Sequence, residues 1–155
     1  MEKKTKVNAE NGKHDLQITR EFDLPVELLF KAHVEPDLIE QWMTSKVVKL
    51  ESKKQGSYTL EKKDDQGNVV FKADGVIHEL IPNKKIIRTF EMESGTFGVQ
   101  LEFYDFEPLT DDTSRLNMRV LYESVDYRDR HLKLPFTMGI NIAHNRIQEI
   151  LKKLK

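Results

Sequence analysis

The chain has 155 residues, no cysteine, and 25 basic against 26 acidic side chains for a formal charge of -1. That length is one domain with one core, burying roughly 70% of the surface the unfolded chain would expose. The missing cysteines exclude disulfides, thiolate nucleophiles and cysteine-ligated metals, and the interspersed charges exclude the one-sided basic face that nucleic acid requires.

Residues 1–12 are polar and lysine-rich and are expected to be a flexible leader, with residues 13–155 forming a single domain. No uncharged run approaches the roughly 20 residues of a membrane span, so a cytoplasmic protein is expected. Leu16, Ile18, Arg20 and Phe22 alternate with Gln17, Thr19 and Glu21, the period of a strand with one buried face. Pro25 then suits a first helical turn, with Val26, Leu29, Phe30 and His33 at helical spacing. Pro36 opens a second short helix carrying Leu38, Ile39 and Trp42.

From Thr44 to Glu123 the pattern is six strands, broken at Gln55-Gly56, Asp65 to Asn68, Pro82-Asn83, Glu93 to Gly95 and Leu109 to Thr113. Val69, Phe71, Ala73, Gly75 and Ile77 alternate with polar residues, as do Phe97, Val99, Leu101 and Phe103, and Leu116, Met118, Val120 and Tyr122. Their partner positions carry Lys72, Asp74, Gln100, Glu102, Asn117 and Arg119, expected on the wet face of an antiparallel sheet covered on one side. The cover is a long helix from Pro135 onward, with Phe136, Gly139, Ile140, Ala143, Ile147, Ile150, Leu151 and Leu154 in one stripe, widened by Met138 and Ile142. The order is β-α-α-β6-α, an α+β chain.

Val26, Phe30, Ala32, Glu35-Pro36-Asp37, Leu38 and Gln41-Trp42 resemble the opening of the activator-of-Hsp90-ATPase homologue (AHSA1-like) family, a branch of the START/Bet v 1-like (SRPBCC) superfamily. Phe71, Gly75, Val76, Glu79, Ile81-Pro82, Lys85 to Ile87 and Thr89-Phe90 resemble its paired strands, and Met138-Gly139 through Leu151 its terminal helix. The resemblance implies a helix-grip fold, a curved antiparallel sheet wrapped around a long C-terminal helix. It implies a cavity between them for a hydrophobic or lipid-like small molecule, or a chaperone partner. No additional N-terminal domain is expected ahead of this one, which turns the expectation away from a full Hsp90-activator role.

No His-x-x-x-His pair, phosphate loop or nucleophile elbow is present, so no metal, cofactor or catalytic residue is expected. Asp64-Asp65 and Asp111-Asp112 read as turn chemistry. The expected ligand-binding set is Phe30, Trp42, Met43, Tyr58, Phe71, Arg88, Phe90, Phe97, Leu101, Met118, Met138 and Ile142. Arg88 faces either the cavity, where it needs a buried anion such as a ligand carboxylate, or solvent, with Ile87 and Thr89 inward; periodicity leaves both registers open. The alternatives to a binder are a cyclase- or hydrolase-like enzyme using a tyrosine, His33, His78 or Arg88, and a chaperone-interacting module. Edge strands give a route to a weak homodimer.

Overall fold

A computed structural model describes residues 3–93 and 97–155. Its elements are β1 (Lys6–Asn8), β2 (Asp15–Phe22), α1 (Val26–Val34), α2 (Pro36–Met43), β3 (Lys46–Leu50), β4 (Ser57–Lys63) and β5 (Val69–Ile81). They continue with β6 (Lys85–Met92), β7 (Val99–Pro108), β8 (Ser114–Leu121), α3 (Val125–Lys133), α4 (Phe136–Leu151) and a closing 3-10 turn, Lys152–Leu154. The strands form one antiparallel sheet in the order β1-β2-β8-β7-β6-β5-β4-β3. This is the helix-grip arrangement. The turn expected at Glu93 to Gly95 falls partly on residues 94 and 95, outside the described residues.

The buried face of β2 carries Leu16, Ile18 and Phe22, which join Leu29 and Phe30 of α1, Phe106, Leu116, and Ile147 and Leu151 of α4 in the main core. Each such side chain contributes about 1.5–3 kcal/mol when removed from water. A second cluster, Ile39, Tyr58, Leu60 and Ile77, ties α2 to β4 and β5. Trp42 Nε1 donates to the Ala32 carbonyl at 2.7 Å, locking α2 onto the end of α1. At Gly75 an added Cβ would meet the Thr89 carbonyl oxygen at 2.0 Å and the Tyr58 ring at 2.5 Å, so only glycine lets Tyr58 lie across β5.

Four expectations are corrected. The leader contains a strand: Lys6–Asn8 pair with β2, and Thr5 is buried, with its backbone N donating to Asn141 Oδ1 at 2.9 Å and its Oγ1 2.8 Å from His144 Nδ1. Three residues are too short for a periodic signal, and the partners of Thr5 on α4 lie more than a hundred positions away. The β7 register is the reverse of the one expected. Gln100, Glu102, Tyr104 and Phe106 face inward, while Leu101 and Phe103 lie on the opposite face. Both faces of this strand offer an apolar series, and the ring contacts of Phe106 with Phe30 at 5.0 Å and of Tyr104 with His33 at 5.7 Å select the other one.

Helix α3 was not anticipated. Its start is marked by Ser124, whose Oγ accepts from the Tyr127 backbone N at 3.1 Å. Finally, Met138 and Ile142 do not widen the buried stripe of α4; they are 64% and 42% exposed. Both sit on the helix side that the sheet does not reach.

Candidate ligand cavity

Between the sheet and α4 lies a partly open cavity of about 410 Å³. Its floor is the inward row of β6, β7 and β8: Arg88, Phe90 and Met92, then Gln100, Glu102 and Tyr104, then Met118, Val120 and the adjoining Tyr122. The roof is Phe136, Gly139, Ile140, Ala143 and Arg146 of α4, recurring every three or four residues so that one helix side meets the space. Trp42 and Met43 from the end of α2, Phe71 from β5, Ile18 from β2 and His131 from α3 close the sides. The surface is mainly carbon.

Most polar groups on the floor are satisfied by one another. Arg88 Nε donates to Glu102 Oε1 at 2.8 Å, Arg88 Nη2 to Tyr104 Oη at 2.8 Å, and Tyr104 Oη donates in turn to Glu102 Oε1 at 2.8 Å. The guanidinium lies over the rings of Tyr58 at 4.7 Å and Tyr104 at 5.1 Å. Arg88 therefore takes the inward register, and the anion it requires is Glu102 of the same chain rather than a ligand carboxylate. Burial pushes the Tyr104 and Tyr58 phenols well up, so both remain hydroxyl donors.

A second polar pair stands at the α3 side. Tyr122 Oη and His131 Nδ1 are 2.5 Å apart, with the imidazole stacked on Phe97 at a centroid distance of 4.7 Å and edge-on to Phe136 at 4.7 Å. Burial raises the Tyr122 phenol and lowers the His131 imidazole, partly offset for His131 by the Glu102 charge. The two groups share one hydrogen bond, and which of them donates is set by the imidazole tautomer.

Gln100 is only 3% exposed, and its Nε2 has no hydrogen-bond partner. Arg146, at the outer edge, makes no ion pair among the described residues.

Of the expected binding set, Trp42, Met43, Phe71, Arg88, Phe90 and Met118 line this space. Phe30 belongs to the main core instead, and Tyr58 lies beneath Arg88 with its hydroxyl donating to the Thr89 carbonyl at 2.5 Å. Phe97 backs His131 from behind. Leu101, Met138 and Ile142 are excluded by the β7 register and the α4 orientation given above. The polar members Gln100, Glu102, Tyr104, Tyr122 and His131 were missed as site residues. Tyr104 and Tyr122 carried a signal, as tyrosines within apolar alternations; Gln100 and Glu102 were hidden by the register, and His131 by the unrecognised α3.

His33 is structural: its Nδ1 donates to the Leu29 carbonyl at 2.9 Å, and burial pushes the imidazole down to about 4. His78 is exposed. Among the described residues no group of three or more His, Asp or Glu side chains is arranged to hold a metal ion. No described helix is long and apolar enough to cross a membrane.

Residues 23–155 match the sequence model of the family described as activator of Hsp90 ATPase homolog 1-like protein. No curated protein matches the chain in sequence. Among solved structures it resembles a protein from Rhodobacter sphaeroides with a TM-score of 0.83 at 19% identity, covering 96% of this chain and 99% of the other. It also resembles protein Ms6760 from Mycobacterium smegmatis, with a TM-score of 0.82 at 20% identity over 98% and 99% of the two chains. A solution structure from Arthrobacter aurescens superposes with a TM-score of 0.83 at 16% identity over 96% and 91%. Likeness at these identities concerns the fold.

Proposed function

Given that the chain belongs to the activator of Hsp90 ATPase homolog 1-like protein family, we propose that it binds a hydrophobic or amphipathic small molecule between the sheet and α4. The observation that carries this reading is the cavity of about 410 Å³, within the range of small-molecule sites and lined mostly by carbon with a few converging polar groups. Its ion pair is internally neutralised, so an apolar body can replace water there without stranding a charge. A cytoplasmic setting suits a chain without cysteine.

The test is native mass spectrometry of freshly purified protein, followed by organic extraction, and thermal-shift measurements with apolar probes on the wild type and on Gly139→Trp. An indole at residue 139 projects from the roof into open space, since an added Cβ there meets nothing within 4 Å. Binding to the wild type and its loss in a folded Gly139→Trp protein is the expected result. Equal behaviour of the two proteins would sink the reading.

One observation favours enzymatic use of the same space: the Tyr122–His131 pair, two proton-carrying groups 2.5 Å apart on the cavity wall. On that reading, turnover of a cavity-bound substrate is lost in Tyr122→Phe and in His131→Asn while binding and folding persist. Turnover unaffected by either substitution removes the pair from any chemistry.

A further inference from the structure

The cavity opens along one side of α4. Among its described lining residues only Gly139 and Arg146 are exposed; the others are buried or half-buried. These two lie about two helical turns apart on the same helix side, with Ala143 between them. Gly139 presents no side chain, and a Cβ built there meets nothing within 4 Å. Ala143 adds a single carbon. The entrance therefore runs past two small residues and ends at one long cationic side chain.

Arg146 is also the charge of the lining that nothing compensates. The fixed charges there are Arg88, Glu102 and Arg146, and the first two pair at 2.8 Å on the floor. Arg146 makes no ion pair or hydrogen bond among the described residues. Its neighbours one turn away along α4 are Ile142, Ala143, Glu149 and Ile150, and the acid among them, Glu149, is engaged by Lys152 at 3.2 Å. The interior is thus apolar and charge-balanced, while the rim is positive.

This gradient orients an amphipathic guest. The apolar body is stabilised inside, an anionic end at the rim keeps part of its water and gains a guanidinium, and a cationic end meets repulsion.

Resting on the binding reading above, we propose that Arg146 is the anchoring and specificity-determining residue at the cavity mouth. Its ligand is an amphipathic acid of one negative charge, with the apolar body between the sheet and α4 and the carboxylate on the Arg146 guanidinium. The planar fork matches the two carboxylate oxygens with two parallel N–H donors.

The experiment titrates three probes of equal ring and chain length, naphthylacetate, naphthylethanol and naphthylethylamine, by calorimetry at pH 7. The proteins are the full-length wild type, Arg146→Met, Arg146→Glu and Lys84→Met. Lys84 is an exposed cation of the β5–β6 turn outside the lining, so Lys84→Met changes the net charge as Arg146→Met does. The wild type is expected to bind the acid about fivefold more tightly than the alcohol, the upper range for one ion pair at a solvent edge, and the amine more weakly than either. That advantage shrinks in about 1 M salt. Arg146→Met binds acid and alcohol equally, Arg146→Glu prefers the amine, and Lys84→Met keeps the wild-type order. All four proteins should melt at closely similar temperatures, because both substituted side chains are exposed.

Equal affinity of the three probes for the wild type, or an acid preference that survives in Arg146→Met, overturns the assignment and leaves the cavity reading standing. A preference lost equally in Lys84→Met overturns it too, since net charge alone then steers the acid. If no probe binds any of the proteins, the cavity reading fails and the assignment with it.

Discussion

Arg88 and Glu102 sit opposite each other on β6 and β7, Nε to Oε1 at 2.8 Å, with only 18% and 9% of their side chains exposed. An ion pair this enclosed owes little to Coulomb attraction alone, because desolvation opposes it. Removing one member is therefore far worse than removing both. Arg88→Met is expected to cost about 3 kcal/mol by leaving the carboxylate unpaired, while the double variant Arg88→Met/Glu102→Leu costs less than either single change. Urea unfolding of the three variants measures the cycle; additive costs would mean that the pair is not coupled.

The same pair explains what the sequence made legible and what it hid. The order of elements, the six central strands and the main stripe of α4 follow from periods of 2 and 3.6 that one buried face imposes. The β7 register does not, because Phe97 to Phe103 and Tyr104 with Phe106 present rival apolar series, and a polar inward side is tolerable only where partners on neighbouring strands satisfy it. Arg88 and Glu102 are 14 residues apart in the chain, so no local pattern announces them. Half of the expected site set missed the cavity for related reasons: three side chains point away from it, and three pack just behind its wall.

Two buried imidazoles make stability depend on pH. His33 and His144 are pushed by burial from 6.5 down to about 4 and about 3, so the folded protein holds them neutral where the unfolded chain protonates them. Their contribution is complete above about 6.5 and is lost as pH falls toward the folded values. Between pH 7 and 5 the wild type should lose about 2 kcal/mol more than His33→Phe, from about 1.4 kcal/mol per pH unit for one proton. Identical losses in guanidinium unfolding at the two pH values would show that His33 titrates normally.

Two glycines should respond to alanine with opposite signs. At Gly75 the methyl group collides with the Thr89 carbonyl and Tyr58, so Gly75→Ala is expected to cost about 2 kcal/mol or more. At Gly139, in the first turn of α4 beside empty space, alanine is expected to add up to about 1 kcal/mol. Melting temperatures of the two proteins decide both.

Thr5 links the N-terminal strand to α4. Thr5→Val keeps the shape but removes the hydroxyl that faces His144 Nδ1 and accepts from Arg20 Nη1 at 3.3 Å, and should cost about 1–2 kcal/mol. Proteolysis is expected to cut the variant before β2 faster than the wild type. An unchanged cutting rate would mean that the contact does not hold the strand.

Along α4, burial and exposure alternate sharply enough to test. Met138→Lys and Ile142→Lys should each change stability by no more than about 0.5 kcal/mol, whereas Ile147→Ala, at a position with 0% exposure, should cost about 3 kcal/mol. A large loss from Met138→Lys would show that this face is covered in solution.

The pairing of β2 with β8 also sets when the molecule can be finished. Beyond the short β1, Asp15–Phe22 find their second strand neighbour at Ser114–Leu121, so a growing chain emerging from the ribosome carries Leu16, Ile18 and Phe22 incompletely covered until most of it has been made. Acquisition of the native state is therefore a late, nearly all-at-once event, and the interval before it is when the nascent polypeptide is most open to holdases and to self-association.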